Sequence, residues 1–514
     1  MVLNAVGRDI PREVDGRRLR PFAGAFATPP EKGRRMHAPE KALVAPGQSK
    51  ILSSLDEVFS RIELNNGATL SFHHHLRDGD YVVNMVMKRI EKMGLKGIRM
   101  AHTALFPVHE PLVHLVEKGV ITHTEGSLNG PLGRAVSLGK MKGIATLRSH
   151  GGRVRAIQDG DIEIDVAFIA APTSDDYGNC NGLYGPSAFG PMSYPKIDAK
   201  HAKYSIVLTD NLVPYPNVPI SIPQHQVDYV VPVERLGDPE RIMTGTMKIT
   251  SSPTRLKIAR YAAQIVKETG YLKNGFSFQA GAGGISLAAT KFLGEMMKKE
   301  DIHASFANGG TTKPLIDILN AGLIDVLVDG QTFDLVGIDS LRNNPKHVEI
   351  GADFYANMHN KGCNVNTLDV AFLGATEIDT DFNVNVNTHS DGVLLHGIGG
   401  HQDVASGTRM TMILVPSRRG RVPIIVDRVQ TVSTPGEVVD VVVTEKGIAI
   451  NPRRDDLLEA LHGSSLPLMT IEDLKDLIQR ETGKPKEPEF TDRVVGLIEY
   501  RDGTILDVIR QIKT

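Results

Sequence analysis

The sequence predicts an α/β protein of two duplicated open domains, each built on a mainly parallel sheet, with a site where the copies meet. Three observations lead there. Residues 165–181 (DVAFIAAPTSDDYGNCN) return as residues 369–385 (DVAFLGATEIDTDFNVN), with eight of seventeen aligned positions identical. Upstream, PLVHLVEKGVI (111–121) returns as PLIDILNAGLI (314–324) at nearly the same offset. Such a period is far too long for a solenoid unit, so each copy is a folded domain. Short continuous apolar runs also alternate with amphipathic segments, the pattern of sheets covered on both faces. Duplicated halves form a cleft from facing loops, and the site is expected there.

The 514-residue chain is long enough for two or three packed domains. A formal net charge of −2 argues against a generic nucleic-acid binder, whose affinity rests on neutralising phosphates. Two cysteines, Cys180 and Cys363, make no disulfide framework and fit a reducing compartment. The charged N-terminus lacks the apolar core of a signal peptide, and no apolar run approaches the length of a membrane span. A cytoplasmic protein, apart from membranes and nucleic acid, is expected.

Three segments follow in order. Residues 1–50 form a basic arm: between Arg8 and Lys41 lie nine Lys/Arg, five Asp/Glu and five prolines, with little periodicity. The arm reads as a strap over the body or a neighbouring subunit, or as a docking surface for an acidic partner. Residues 51–245 form the first copy. Its PLVHLVEKGVI segment predicts a short helix opened by Pro111 and closed by Gly119. Strands are expected over 162–170, 204–210 and 228–233. The boundary falls between Glu234 and Arg255, where RLGDPERIMTGTMKITSSPTR interrupts the pattern. Residues 246–514 form the second copy, with a helix from Lys257 and strands over 422–427 and 438–444.

Several chemistries lose their warrant. No G-x-G-x-x-G follows a strand, and no P-loop, G-x-S-x-G or H-E-x-x-H occurs. What remains is glycine flanked by polar residues. QAGAGGIS (279–286) sits between an apolar strand and a helical stretch, where Gly283 and Gly284 let backbone N–H groups approach an anion or oxyanion. HSDGVLLHGIGGHQDVASGTRM (389–410) sets Gly399 and Gly400 among His396, His401, Asp403 and Arg409. RSHGGR (148–153) pairs Gly151 and Gly152 with Arg153, a planar fork suited to carboxylate. SLNGPLG (127–133) is a compact turn that could line the same cleft. In SFHHHLRDGD (71–80) a strand would turn His73 and His75 to one face and His74 to the other. Two ligands on a face fall short of a metal site. Anion binding by His74 and His75, helped by Arg77, is the better functional reading, beside a buried, hydrogen-bonded histidine.

These residues carry a resemblance. GIGGHQDVASGTR followed by STPGEVVDVVVTEKGIA (433–449) resembles the C-terminal pattern of CoA-transferases, and SFQAGAGGIS and the DVAF repeats fit the same two-domain family. More narrowly, SFHHHLRDGDYVVNMVM, SLNGPLG, SHGGR and HSDGVLLHGIGGHQD are similar to the citrate lyase alpha-subunit family over essentially the whole chain. The resemblance implies two CoA-transferase-like domains and transfer of a carrier-protein thiol from acetyl carrier protein to citrate, giving citryl carrier protein and acetate. It implies a β subunit that cleaves the citryl thioester and a γ subunit that is the carrier, in a larger complex containing a homo-oligomer of this chain. The carrier's phosphoribosyl dephospho-CoA arm brings the thiol; CoA or acetyl-CoA is the expected substitute, and no metal or covalently held cofactor is implied.

One departure bears on mechanism. Covalent CoA-transferases hold a nucleophilic glutamate after a strand, but here that stretch is DIHASFANGG (301–310), with Ser305 or its neighbours in its place and no carboxylate after Asp301. Citrate itself is therefore expected to attack, through a mixed anhydride. The backbone at Gly283, Gly284, Gly399 and Gly400, with His396, would serve the reacting centre. His74, His75, Gly151, Gly152, Arg153, His401 and Arg409 would hold substrate. The alternatives are a covalent enzyme or thioester hydrolase using Glu377 or Glu445, and a non-catalytic metabolite sensor.

Overall fold

The computed structural model describes residues 1–5, 7–24, 48–243, 248–281 and 283–513. Met1–Ser49 separates as a unit of its own and holds two short antiparallel pairs, Val2–Leu3 with Asp9–Ile10 and Glu13–Val14 with Arg17–Arg18. Most of the expected arm, residues 25–47, lies outside the described residues, as does the expected boundary at 245/246.

Lys50–Thr514 contains two large sheets. The first runs Tyr229–Pro232, Tyr204–Thr209, Val166–Ala170, Thr69–Phe72, Ile98–His102, Ile121–Glu125, Ala145–Leu147, Phe490–Glu499 and Ile505–Ile512. All neighbours are parallel except the last pair. The second runs His347–Glu349, Ile324–Thr332, Ala304–Thr311, Ser277–Ala280, Val370–Leu373, Met410–Leu414, Val441–Val443 and Ile448–Ile450, with only the last pair antiparallel. Counting strands along the chain within each half, both sheets have the order 4-3-2-1-5-6-7. Duplication therefore extends from sequence to topology.

The repeated residues show why they recur. Asp165 opens DVAF and accepts the Thr69 backbone N–H at 2.8 Å; its counterpart Asp369 accepts that of Ser277 at 2.9 Å. Each pins its half's fifth strand to its first. Asp175 accepts the Tyr177 and Asn179 N–H groups, and Asp379 those of Asp381 and Asn383, so each closes the same tight loop. The flanking short strands pair in one register: Ser174 opposite Cys180 and Ile378 opposite Val384.

The helix expected at 111–121 forms as Leu112–Glu117, and its copy as Lys313–Asn320. Gly119 and Gly322 follow them with φ of +70° and +74°. Two sequence readings change. The 422–427 run divides into Val422–Pro423 and Ile425–Val426, neither in a large sheet. The last two strands, placed by sequence in the second copy, complete the first sheet. Phe490–Glu499 runs parallel to Ala145–Leu147, and Glu499 meets Arg148 at 2.7 Å and Arg155 at 2.9 Å.

Candidate active site

Strand order in each sheet reverses between the first and fifth strands, and a crevice opens beyond the carboxyl ends at such a switch point. In the first half the chain leaving that point carries His73, His74 and His75; in the second it carries Gly281, Gly283 and Gly284, beside Gly374 after Leu373. Both groups of loops contribute to one cavity of about 690 Å³, whose wall includes His74, Gly283, Gly284, Gly374 and residues 397–401.

Close approach of backbone explains the glycines. A Cβ at Gly397 would lie 2.0 Å from the Ser127 side chain, and one at Gly400 would lie 2.6 Å from the Tyr355 hydroxyl. Gly399 has φ +62°, a left-handed conformation that glycine adopts without penalty, and its carbonyl accepts the His150 N–H at 2.9 Å. Gly283 and Gly284 start a 17-residue helix, so free N–H groups face the space.

Four cationic side chains reach the wall: Arg77, Lys248, Arg255 and Arg419. Among the described wall residues there is no Asp, Glu or Cys. The polar remainder is largely neutral. The Gln279 amide donates to Tyr355 at 2.9 Å, and the Tyr194 hydroxyl donates to Gln331 at 3.2 Å. His74 meets the Thr103 hydroxyl at 2.5 Å and stacks on Tyr194 and His150, with centroids 4.9 and 5.6 Å away. Burial, with Arg153 and Arg77 nearby, pushes the His150 pKa down to about 3. Burial and His150 hold His74 well below its usual value. Both imidazoles are thus neutral near pH 7 and act as hydrogen-bonding groups rather than cations.

Of the residues singled out in the sequence, His74, Arg77, Gly283, Gly284, Gly399, Gly400 and His401 lie on the wall, with Ser127 and Asn129 of the SLNGPLG turn. His401 has both ring nitrogens engaged, at 2.8 Å from the Thr434 hydroxyl and 3.0 Å from the Gly374 carbonyl, so it fixes two wall loops together. The others lie elsewhere. Arg153 is 2% exposed: its guanidinium donates to both Asp198 oxygens at 2.9 Å and to the Ala101 carbonyl at 2.7 Å. It has no free fork for a substrate carboxylate. Gly151 and Gly152 give their N–H groups to Asp403 and Ser149 at the start of helix His150–Asp159, the helix whose first residue reaches the cavity. His75 is buried, 2.8 Å from His73 between their Nδ1 atoms. His396 is exposed and lies 3.2 Å from His389; Arg409 is exposed and pairs with Asp369 at 3.4 Å. Among the described residues no group of three or more His, Cys, Asp or Glu is placed to hold a metal ion.

Sequence reading passed over His150, Gln279, Tyr194, Gln331, Tyr355, Lys248, Arg255 and Arg419. His150 and Gln279 stand inside quoted glycine motifs, where the polar neighbour of the glycines was the available signal. The two tyrosines carry no local signal, since only folding brings them to the wall. The Asp of GIGGHQD holds structure together. Asp403 accepts the Gly151 N–H at 2.9 Å and the Ser149 Oγ–H at 2.8 Å, joining loops of the two halves. Burial pushes its pKa up to about 6 against the opposing pull of Arg501.

Comparison with known proteins gives one consistent picture. The family model "citrate lyase, alpha subunit" matches residues 48–512. The citrate lyase alpha chain of Klebsiella pneumoniae is 47% identical over 497 residues, 96% of each chain. A Streptococcus mutans structure, described as an alpha subunit of citrate lyase in complex with citrate, superposes with TM-score 0.91 at 47% identity, covering 99% of this chain and 100% of that one. A 4-hydroxybutyrate CoA-transferase from Porphyromonas gingivalis superposes with TM-score 0.54 at 17% identity, over 84% of this chain and 97% of its own, a likeness of fold alone.

Proposed function

Because the chain belongs to the citrate lyase alpha-subunit family, we propose that its cavity transfers a carrier-protein thiol from acetate to citrate. Acetyl carrier protein and citrate give citryl carrier protein and acetate. The observation that carries this reading is the wall itself: four cations and glycine-lined backbone, with no carboxylate or thiol among its described residues. Such a surface suits a multiply charged carboxylate and offers no carboxylate or thiol to carry the acyl group. The neighbour solved with citrate supports the choice of ligand.

The steps follow from that composition. A citrate carboxylate oxygen attacks the acetyl thioester carbonyl; the C–O bond forms, the C–S bond breaks, and thiolate departs. The product is a citryl–acetyl anhydride. Thiolate then attacks the citryl carbonyl, a C–S bond forms, and acetate leaves with the bridging oxygen. One thioester replaces another, so no outside energy source enters. Two tetrahedral oxyanions form on the way. Backbone N–H groups at Gly283, Gly284, Gly399 and Gly400, with the neutral imidazoles of His74 and His150, supply donors that need no reorganisation.

A glutamate nucleophile fits poorly. Glu377 is 3% exposed, accepts from Asn385 and Gln430 at 3.0 and 3.2 Å, and is absent from the wall. Glu445 accepts the Ser417 N–H at 2.9 Å, which ties two segments 28 residues apart, and it too is absent from the wall. In this account the chain acts with a β subunit that cleaves citryl thioester and a γ carrier whose phosphoribosyl dephospho-CoA arm enters the cavity, within a homo-oligomer of this chain. Mixing the purified chain with acetyl-labelled carrier thioester, or acetyl-CoA, and citrate tests the reaction. Citrate-dependent release of labelled acetate is expected. Tight citrate binding with no release would favour a sensor instead.

A further inference from the structure

Arg77 differs from the buried arginines of the molecule in lacking an anion. Arg148 meets Glu125 and Glu499, Arg153 meets Asp198, Arg155 meets Glu499, and Arg501 lies 3.8 Å from Asp403. Arg77 has no salt bridge among the described residues; its Nε is covered without a hydrogen-bond partner, as are those of Arg153, Arg155 and Arg501. Its neighbour Asp78 is occupied elsewhere, by the Val108 N–H at 2.9 Å and by Arg241 at 2.7 Å.

The guanidinium is nonetheless held firmly. It lies between two aromatic faces, 4.7 Å from the Phe106 ring centre and 4.9 Å from that of Phe333. Phe106 belongs to the first half and Phe333 to the second, and all three side chains line the cavity. The Arg77 backbone has φ +53°, a conformation a non-glycine residue adopts only when its surroundings impose it. The surroundings do so: Gly79 N–H donates to Leu76, and Asp238 N–H donates back to Gly79 at 2.9 Å. Burial draws the pKa of Arg77 down to about 10, which leaves it charged at neutral pH. A charged planar fork that is fixed, partly desolvated and unpaired is an incomplete ion pair.

We propose that Arg77 is the specificity-determining cation of this site, taking in its fork a carboxylate of the polycarboxylate substrate that does not itself react. A carboxylate locked on both oxygens is a poor nucleophile, so binding there leaves a different carboxylate free to attack. A monocarboxylate such as acetate cannot satisfy the fork and react at once, which gives a physical reason for preferring citrate as acceptor. This assignment rests on the transfer reading above.

The test uses the full chain with Arg77→Met and Arg77→Lys. Citrate affinity is measured by calorimetry, thermal stability with and without citrate, and turnover with acetyl-CoA. Arg77→Met is expected to weaken citrate binding roughly a hundred-fold, as for loss of one side of a buried charge pair. It should also abolish the citrate-induced rise in melting temperature, while the citrate-free protein melts no lower than the parent. Arg77→Lys keeps charge without the fork and should lose about ten-fold, mainly in KM. Parental citrate affinity in Arg77→Met overturns the proposal. So does a large fall in its citrate-free melting temperature, which would make Arg77 a structural residue. If the parent itself fails to bind citrate, the transfer reading falls and takes this assignment with it.

Discussion

Replacing Arg153 by alanine should break the fold's energetics and leave substrate recognition alone. The side chain is 2% exposed and Asp198 is 1% exposed. Their two 2.9 Å contacts form a bidentate pair, and a 2.7 Å bond to the Ala101 carbonyl occupies the same guanidinium. Removing the arginine strands a carboxylate in the interior between helix Pro195–His201 and the first sheet. The cost of breaking a buried pair from one side is about 3–5 kcal/mol. Deleting both charges avoids that penalty, so Arg153→Leu with Asp198→Leu should recover most of the loss. Urea unfolding followed by far-UV circular dichroism reads the midpoint, and steady-state kinetics on the folded fraction reads citrate KM. The reasoning predicts an early midpoint for Arg153→Ala, recovery in the double variant, and an unchanged KM. An unshifted midpoint with a raised KM would refute it and return Arg153 to the substrate.

Two further outcomes follow from the geometry. His73, His74, His75, His102 and His401 are buried with pKa values lowered by burial, His73 and His401 to about 4. The folded state thus binds fewer protons than the unfolded one below pH 6.5, and stability should fall as pH drops from 6.5 toward 4. Asp403, raised to about 6, acts in the opposite direction between pH 3.8 and 6, as do Asp228, Glu377, Asp379 and Asp440, raised by burial; His150, lowered to about 3, adds to the imidazole side. Melting temperatures across pH 7.5 to 5 check this, and a flat profile contradicts it. Gly397→Ala would place a methyl 2.0 Å from Ser127 and push the glycine loop off its seat. Turnover should drop on the order of a hundred-fold, as for a displacement near one ångström at a reacting centre, with most of the folded stability kept; parental turnover would show that the loop's position does not matter.

Duplication was legible in the sequence because both halves keep the same residues for the same bonds. Asp165 and Asp369 must stand where they do to receive a backbone N–H from the adjacent strand, and Asp175 and Asp379 to close a tight loop. The glycine motifs were legible too, since backbone approach excludes a Cβ at Gly397, Gly400 and Gly284. The arginines were legible only in part: Arg77, after three histidines, reads as an anion-binding group and lies on the wall, but Arg153 does not. Arg153 sits beside two glycines and looked available, but its partner Asp198 is 45 residues away. Arg77 differs from it only in what folding fails to supply. The C-terminal hairpin was missed although Asp502 followed by Gly503 is a turn signal, because its pairing with Ala145–Leu147 spans some 350 residues of chain.

The account turns on whether a citrate carboxylate attacks the acetyl thioester directly. Citrate labelled with ¹⁸O in its carboxylates, given to excess enzyme with acetyl thioester for a single turnover, decides this by mass spectrometry of the acetate. Direct attack makes the bridging oxygen of the anhydride a citrate oxygen, so acetate from the first turnover carries one ¹⁸O. Unlabelled first-turnover acetate would mean that an enzyme carboxylate had taken the acetyl group before citrate acted.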